Sequence, residues 1–456
     1  MTGDNLQRKL GLFPATNIVV ANMIGAGIFT TSGLLMAGLN NPILMLSLWV
    51  AGGVIALCGA LSYGELGAAM PGAGGEYYFL SKLYHPLLGF LSGWVSFIVG
   101  FSAPIAASAM GFSEYLCRAI PAIPDWFESE GIMSQDSSRT FLSVSVILVF
   151  TIIHYRGIKT GALIQNILTL LKVALIVFLL LAGFLSGKGD ISHFSAGSGI
   201  SSGFAGWKTI GLSLMWIMFA YSGWNASTYL GAEIKNPSKI LPRSLITGTG
   251  IVMFLYLGLN ALYVYGIKPD EMKGVISIGG LAMGNLFGQS ADTLFSLLIA
   301  FALFSSLSAF IIIGPRVYYS MAKDGLFFKS VATIHPKFGV PSNSIILQGL
   351  IATILALSGT FEQVLTYMGF ALGIFPILTV AGVVRLRKVN PTALKMGGYP
   401  IVQILYITSG ILILCLAFLE RPVESSIALF TVIIGIPAYY IFKRINKNLG
   451  SYFPQV

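Results

Sequence analysis

Three features inside apolar stretches of this 456-residue chain are of types that can bind a polar solute. The first is Asn22-Met23-Ile24-Gly25-Ala26-Gly27-Ile28-Phe29, where two glycines one residue apart interrupt a long apolar run. Glycine weakens a helix and lets its backbone open. An opened helix presents free N–H groups, free C=O groups and the end of a helix dipole, which suits an ion or a zwitterion. The same small residues also suit a close helix–helix contact. The second feature is Phe219-Ala220-Tyr221-Ser222-Gly223-Trp224-Asn225, where Gly223 is flanked by Ser222 and Asn225, side chains that compete for backbone hydrogen bonds. The third is Lys172, alone in Leu170-Leu171-Lys172-Val173-Ala174. It lies about 18 Å into its apolar segment at the helical rise, too deep to snorkel easily. A lysine at such depth is either functional or a structural cation on backbone carbonyls. Its candidate acceptors are carbonyls beside the first glycine pair and the hydroxyls of Ser305 and Ser306.

The elements that must position these groups follow from composition. The chain is 55% hydrophobic and 10% charged, which predicts an all-α protein crossing a membrane many times. About twelve spanning segments are expected, near 12–38, 43–70, 87–117, 140–155, 160–185, 206–232, 242–267, 290–322, 343–359, 363–386, 400–419 and 422–442. Non-helical backbone at membrane depth survives only where protein covers it or where it lines a cavity. The two glycine breaks fall in segments one and six, five apart. Five spans turn the chain over, so two five-segment repeats related by inversion are expected, at 12–185 and 206–386. Segments at 400–442 are accessory, with tails at 1–11 and 443–456. Matching breaks in two inverted halves are the sequence pointer to a transporter's central site.

The formal net charge of +10 is explained by topology better than by nucleic acid. With the N-terminus inside, 19 of the 27 basic residues fall in inner segments and 7 outside, and Lys172 remains in a span. This bias predicts both termini inside. Cys58, Cys117 and Cys415 and the four histidines have no metal-ligand spacing, and no cofactor is expected. A membrane enzyme would need a catalytic set that is not evident, and a channel would need a continuous polar pore. A sensor built like a carrier is a further alternative, although no signalling domain is attached. No acidic side chain is expected in the core. Glu65 and Glu233, at segment ends, read as structural or gating partners, which points to a neutral solute rather than an arginine or polyamine.

Several motifs, in order along nearly the whole chain, carry a family likeness. They are Ile24-Gly25-Ala26-Gly27-Ile28-Phe29, Pro71-Gly72-Ala73-Gly74-Gly75-Glu76-Tyr77, Phe219 to Asn225, Glu233-Ile234-Lys235-Asn236-Pro237 with Leu241-Pro242-Arg243, Pro315-Arg316-Val317-Tyr318-Tyr319-Ser320-Met321-Ala322-Lys323-Asp324-Gly325, and His335-Pro336. In these the chain resembles the amino acid–polyamine–organocation family, most closely its L-amino-acid transporter branch.

The resemblance implies the leucine-transporter fold, with helices 1 and 6 broken at mid-membrane. It implies that backbone amides of Ala26, Gly27 and Ile28 bind a substrate carboxylate, and that carbonyls of Asn22, Met23, Phe219, Ala220 and Ser222 receive the amine. Phe219 matches a gating aromatic, and Asn225 a position that sets side-chain selectivity. Lys172, with Ser305 and Ser306, matches a lysine of sodium-independent members, standing where sodium-coupled relatives hold the ion, or carrying a proton. Ser222 and Asn225-Ala226-Ser227 depart from the branch pattern, as does a single Glu233 where relatives have an acidic pair. Eukaryotic members attach a heavy subunit through an outside-loop cysteine. Cys117 lies too near the membrane for that, so no such partner is expected. The expected function is sodium-independent alternating-access transport of small or medium neutral L-amino acids, by exchange rather than proton symport, in the plasma membrane or a bacterial inner membrane. A carrier of cationic amino acids or polyamines is the alternative.

Overall fold

A computed structural model describes residues 8–72, 74–156, 161–197, 199, 203–335, 338 and 340–445. Residues 1–7 and 446–456, and Ala73 and Pro336 among those named above, lie outside the described residues.

The chain is almost wholly helical. The first expected span is two helices, α1 (Leu12–Met23) and α2 (Ala26–Leu39), separated at Ile24 and Gly25. Next come α3 (Pro42–Ala69), α4 (Glu76–Leu83) and α5 (Pro86–Val95), which continues through a π turn at Ser96–Gly100 into α6 (Ser102–Ala119). Then follow α7 (Ala122–Ser129), α8 (Gln135–Tyr155), α9 (Gly161–Leu185) and α10 (Phe204–Ala220). After two short 3₁₀ turns the chain continues as α11 (Pro237–Gly266), α12 (Pro269–Met272), α13 (Ile278–Phe287) and α14 (Gln289–Lys323). It closes with α15 (Ser342–Ser358), α16 (Phe361–Val389), α17 (Ile401–Glu420) and α18 (Pro422–Ile445).

Among the described residues ten stretches are long and apolar enough to cross a membrane, and the sixth and ninth expected spans are shorter helices of 17 residues, α10 and α15. Capping chemistry places several ends. Asn41 accepts from the Leu44 amide ahead of Pro42, and Thr360 and Gln363 form a reciprocal box at the start of α16. The fourth span starts at Gln135 rather than 140, because Ser134 caps a polar first turn that hydropathy does not register. The seventh starts at Pro237 rather than 242, because a proline fits the first turn of a helix, where its missing N–H is no loss.

The sixth span departs most from expectation. It is α-helical only to Ala220, and beyond Gly223 the chain runs through 3₁₀ turns at Ala226–Tyr229 and Gly231–Glu233. Gly223 sits at φ +95°, a conformation that ends a right-handed helix. The hydroxyl of Thr228 donates to the Asn225 carbonyl (2.7 Å), drawing the backbone into a local turn.

Burial orders the bundle. The apolar window of Leu12–Leu39 is 89% buried, against 28% for those of α8, α9, α17 and α18. The broken helix is therefore the axis, and the outer helices turn side chains such as Phe178, Leu181, Ile404 and Phe430 outward, as a lipid-facing surface requires.

Ion pairs tie the ends. Arg118 grips Asp292 with two bonds of 2.7 and 2.6 Å. At the other end Arg387 is bidentate to the buried Glu65 (2.6 and 2.7 Å), and Glu65 also accepts from the Met396 amide. Leu10 exchanges backbone bonds with Glu233 and Lys235, tying the start of α1 to the chain after α10.

Glu65→Ala should lower stability by about 2 kcal/mol, because it removes two charge-assisted bonds from the partly buried Arg387 guanidinium and one from the Met396 amide. Thermal unfolding in detergent checks this, and the double variant Glu65→Leu/Arg387→Met should recover most of the loss.

Candidate functional site

The first break is held from the side by α9 and α14. The Lys172 ammonium is buried and donates to the Ile24 carbonyl at 2.7 Å and to the Ser306 hydroxyl oxygen at 2.8 Å. Ser306 in turn donates to the same carbonyl at 3.0 Å. Of the two serines expected near Lys172, Ser306 makes this bond, while Ser305 is buried at the adjoining position. Gly25, extended at the start of α2, leaves the N–H groups of Ala26, Gly27 and Ile28 in the first turn, with no hydrogen-bond partner among the described residues.

The second break lies against the first. A Cβ added to Gly27 would sit 2.6 Å from the Ala220 Cα, and one on Gly223 would sit 2.8 Å from the Asn22 carbonyl carbon. Glycine is thus required at both points for the two chains to approach.

Tyr256 of α11 closes the contact. Its hydroxyl lies 2.5 Å from the Met23 carbonyl oxygen and 3.1 Å from that of Ala220, so one donor serves both broken helices. Asn260, one turn on, donates to the Tyr256 carbonyl and accepts from Ser32 of α2. Trp49 packs edge-on against both Tyr221 and Tyr256. Sequence reasoning missed Tyr256 because a tyrosine in an apolar helix has no signal beyond its own hydroxyl.

A cavity of about 110 Å³ opens beside the breaks. Asn22, Phe219, Ser222 and Asn225 are on its wall, with Phe310, Ile313 and Leu372 as apolar lining. Ala26, Gly27, Ile28, Met23 and Ala220 are not among its lining residues, and Gly27 of α2 packs on Ala220 of α10. The structure thus brings four of the expected residues to one cavity and sets Gly27 against Ala220 beside it.

The expectation of a core without acidic side chains is corrected here. Glu76 lines the same cavity and is 7% exposed. Its Oε1 accepts from Asn225 Nδ2 at 2.8 Å, and its Oε2 lies 3.4 Å from the Ser92 hydroxyl. The Gly74-Gly75 pair, both at positive φ, turns the chain back after α3, so that α4 begins inside the bundle rather than at its rim. The sequence carries a signal for this, since Glu76 follows a glycine pair as a helix first-turn acid does, whereas hydropathy places it in a connecting loop.

Glu233, the other expected partner, contributes its backbone to the Leu10 pairing. No group of histidine, cysteine, aspartate and glutamate able to hold a metal occurs among the described residues.

Comparison with known proteins adds the family. The amino acid permease family model matches residues 10–438. The serine/threonine exchanger SteT of Bacillus subtilis (strain 168) is 28% identical, over 97% of this chain and 99% of its own length. The b(0,+)-type amino acid transporter 1 of Mus musculus is 25% identical over 96% of this chain and 88% of its own. The large neutral amino acids transporter small subunit 2 of Mus musculus is 26% identical over 96% and 82%. This helical, membrane-spanning chain, with two broken segments beside a largely apolar cavity that carries a few polar groups and a family match over nearly its whole length, belongs to the amino acid permease family and is a transporter, not an enzyme.

Proposed function

We propose that this chain is a sodium-independent secondary transporter of small or medium neutral L-amino acids that works by exchange. The observation that carries the reading is the Lys172 ammonium, 2.7 Å from the Ile24 carbonyl at the first break. A cation tethered there supplies the positive charge that a coupling metal ion would otherwise bring, so substrate binding needs no sodium. The similarity to a serine/threonine exchanger supports exchange and a small substrate.

In this reading residues 12–185 and 206–386 are inverted five-helix repeats, with 400–442 accessory, and one bundle rocks on the other about the fixed site. The unpartnered amides of Ala26, Gly27 and Ile28 take the substrate carboxylate, as helix starts take anions. The amine goes to carbonyls at the breaks, with Asn22, Phe219 and Ser222 on the cavity wall and Met23 and Ala220 outside its lining. The Met23 and Ala220 oxygens already accept from Tyr256 and keep a second lone pair for an ammonium. Phe219 gates the cavity and Asn225 tunes side-chain choice. The protein lies in the plasma membrane, or a bacterial inner membrane, with both termini inside, and works without a heavy subunit. Burial of Cys117 in α6 supports the last point, because a buried thiol cannot reach a partner's.

Three outcomes are expected in proteoliposomes. In sodium-free buffer a labelled neutral amino acid should enter vesicles preloaded with unlabelled amino acid at least tenfold faster than empty ones. Uptake into empty vesicles driven by a proton gradient would replace exchange with symport. Lys172→Ala should reduce exchange at least tenfold, and an unchanged rate from pH 5 to 8 would leave the lysine a purely structural role. Gly27→Val should abolish exchange because its side chain runs into the Ala220 backbone. Normal binding by that variant would remove the proposed cradle.

A further inference from the structure

Glu76 is a carboxyl group on the wall of an apolar-lined cavity with no basic side chain paired to it among the described residues. The charged or titratable groups around it are few. Tyr63 of α3 lies beside it, with a fully buried hydroxyl close enough to bear on the carboxyl's charge. Tyr229, after the second break, and Tyr406 of α17 line the same cavity. On its own helix Tyr77 is committed to Asp324. At the nearby end of α16, Arg387 is committed to Glu65 and Arg385 lies over the Tyr84 ring. An ionised carboxylate buried without a counter-ion is far costlier than one hydrogen bond offsets. A carboxyl in this position therefore holds either a proton or a cation.

We infer that Glu76 is the counter-ion for a substrate side chain, so that the cavity also takes amino acids bearing an ammonium or guanidinium group, each exchanged for the Glu76 proton. This rests on the exchange reading above. Asn225 fixes the carboxyl through Oε1, and Oε2, with the long contact to Ser92, is the oxygen assigned to the ligand. When the cationic side chain arrives, the Glu76 O–H bond breaks. Its electron pair stays on the oxygen, the proton leaves to solvent, and the carboxylate pairs with the ligand. A neutral substrate instead binds beside the protonated acid. The cavity carries the same net side-chain charge in both cases. That accounts for how an apolar wall tolerates the carboxyl, and it makes Glu76 a specificity residue that acts through direct contact.

The test is counterflow in proteoliposomes, comparing labelled lysine and arginine with labelled serine and alanine between pH 5.5 and 8. In the wild-type protein the KM for the cationic pair should rise as pH falls, approaching about tenfold per pH unit where proton and ligand compete fully, while that for the neutral pair stays within twofold. Glu76→Gln should lower the cationic-to-neutral ratio of kcat/KM at least tenfold and flatten the pH profile, and Glu76→Asp should recover part of both. A pH-independent cationic KM in the wild-type protein, or no cationic uptake at any pH alongside neutral counterflow, overturns the inference. The wild-type profile decides even if the variants fail to fold. Failure of neutral counterflow as well would instead overturn the exchange reading on which it rests.

Discussion

Breaking a helix inside an apolar slab leaves backbone polar groups that water cannot reach, and the rest of this structure answers that constraint. Each unsatisfied N–H or C=O in hydrocarbon costs several kcal/mol. The carbonyl side of the first break is satisfied twice over. Lys172 and Ser306 serve Ile24, and Tyr256 serves Met23 together with Ala220 from the second break. The amide side, at Ala26, Gly27 and Ile28, has no such partners among the described residues. This asymmetry is chemical polarity built into the backbone, with one end saturated by donors and the other still carrying donors of its own.

Packing then brings the two breaks together. Gly27 lets α2 close on the Ala220 backbone, and Gly223 lets the turn after α10 close on Asn22. Around this axis α11 supplies Tyr256 and Asn260, and α9 and α14 supply Lys172 and Ser306. The peripheral helices need no polar function and present apolar side chains outward. Charges are spent at the ends of the bundle, where Arg118–Asp292 and Arg387–Glu65 join helices distant in sequence. A partly buried pair of that kind joins its helices without adding much stability of its own.

The cavity joins these levels. Its wall includes Asn22, Phe219, Ser222 and Asn225, which the two breaks bring inward, and Glu76, which the turn after α3 brings inward. Asn225 bonded to Glu76 places a carboxyl where the apolar lining of Phe310, Ile313 and Leu372 gives it little else to interact with. Side-chain chemistry at this site is thus set by one residue from each of two segments far apart in the chain.

Much of this was legible from the residues alone. Apolar length marks spans whatever their partners, because the hydrocarbon core fixes how many residues must be apolar. Glycine pairs mark breaks, because the loss of helix propensity is local. A lysine twelve residues into an apolar run announces a buried cation, although it names no acceptor. Tertiary structure alone decided that Ser306 and Ile24 receive it, that Tyr256 bridges both breaks, that the second half of the sixth span is not an α-helix, and that Glu76 lies inside the bundle rather than in a loop. Each of these depends on which segments meet in three dimensions. A hydropathy window sees how apolar a neighbourhood in sequence is, and it cannot see a single polar atom carried inward by a turn and held there by a residue 149 positions away.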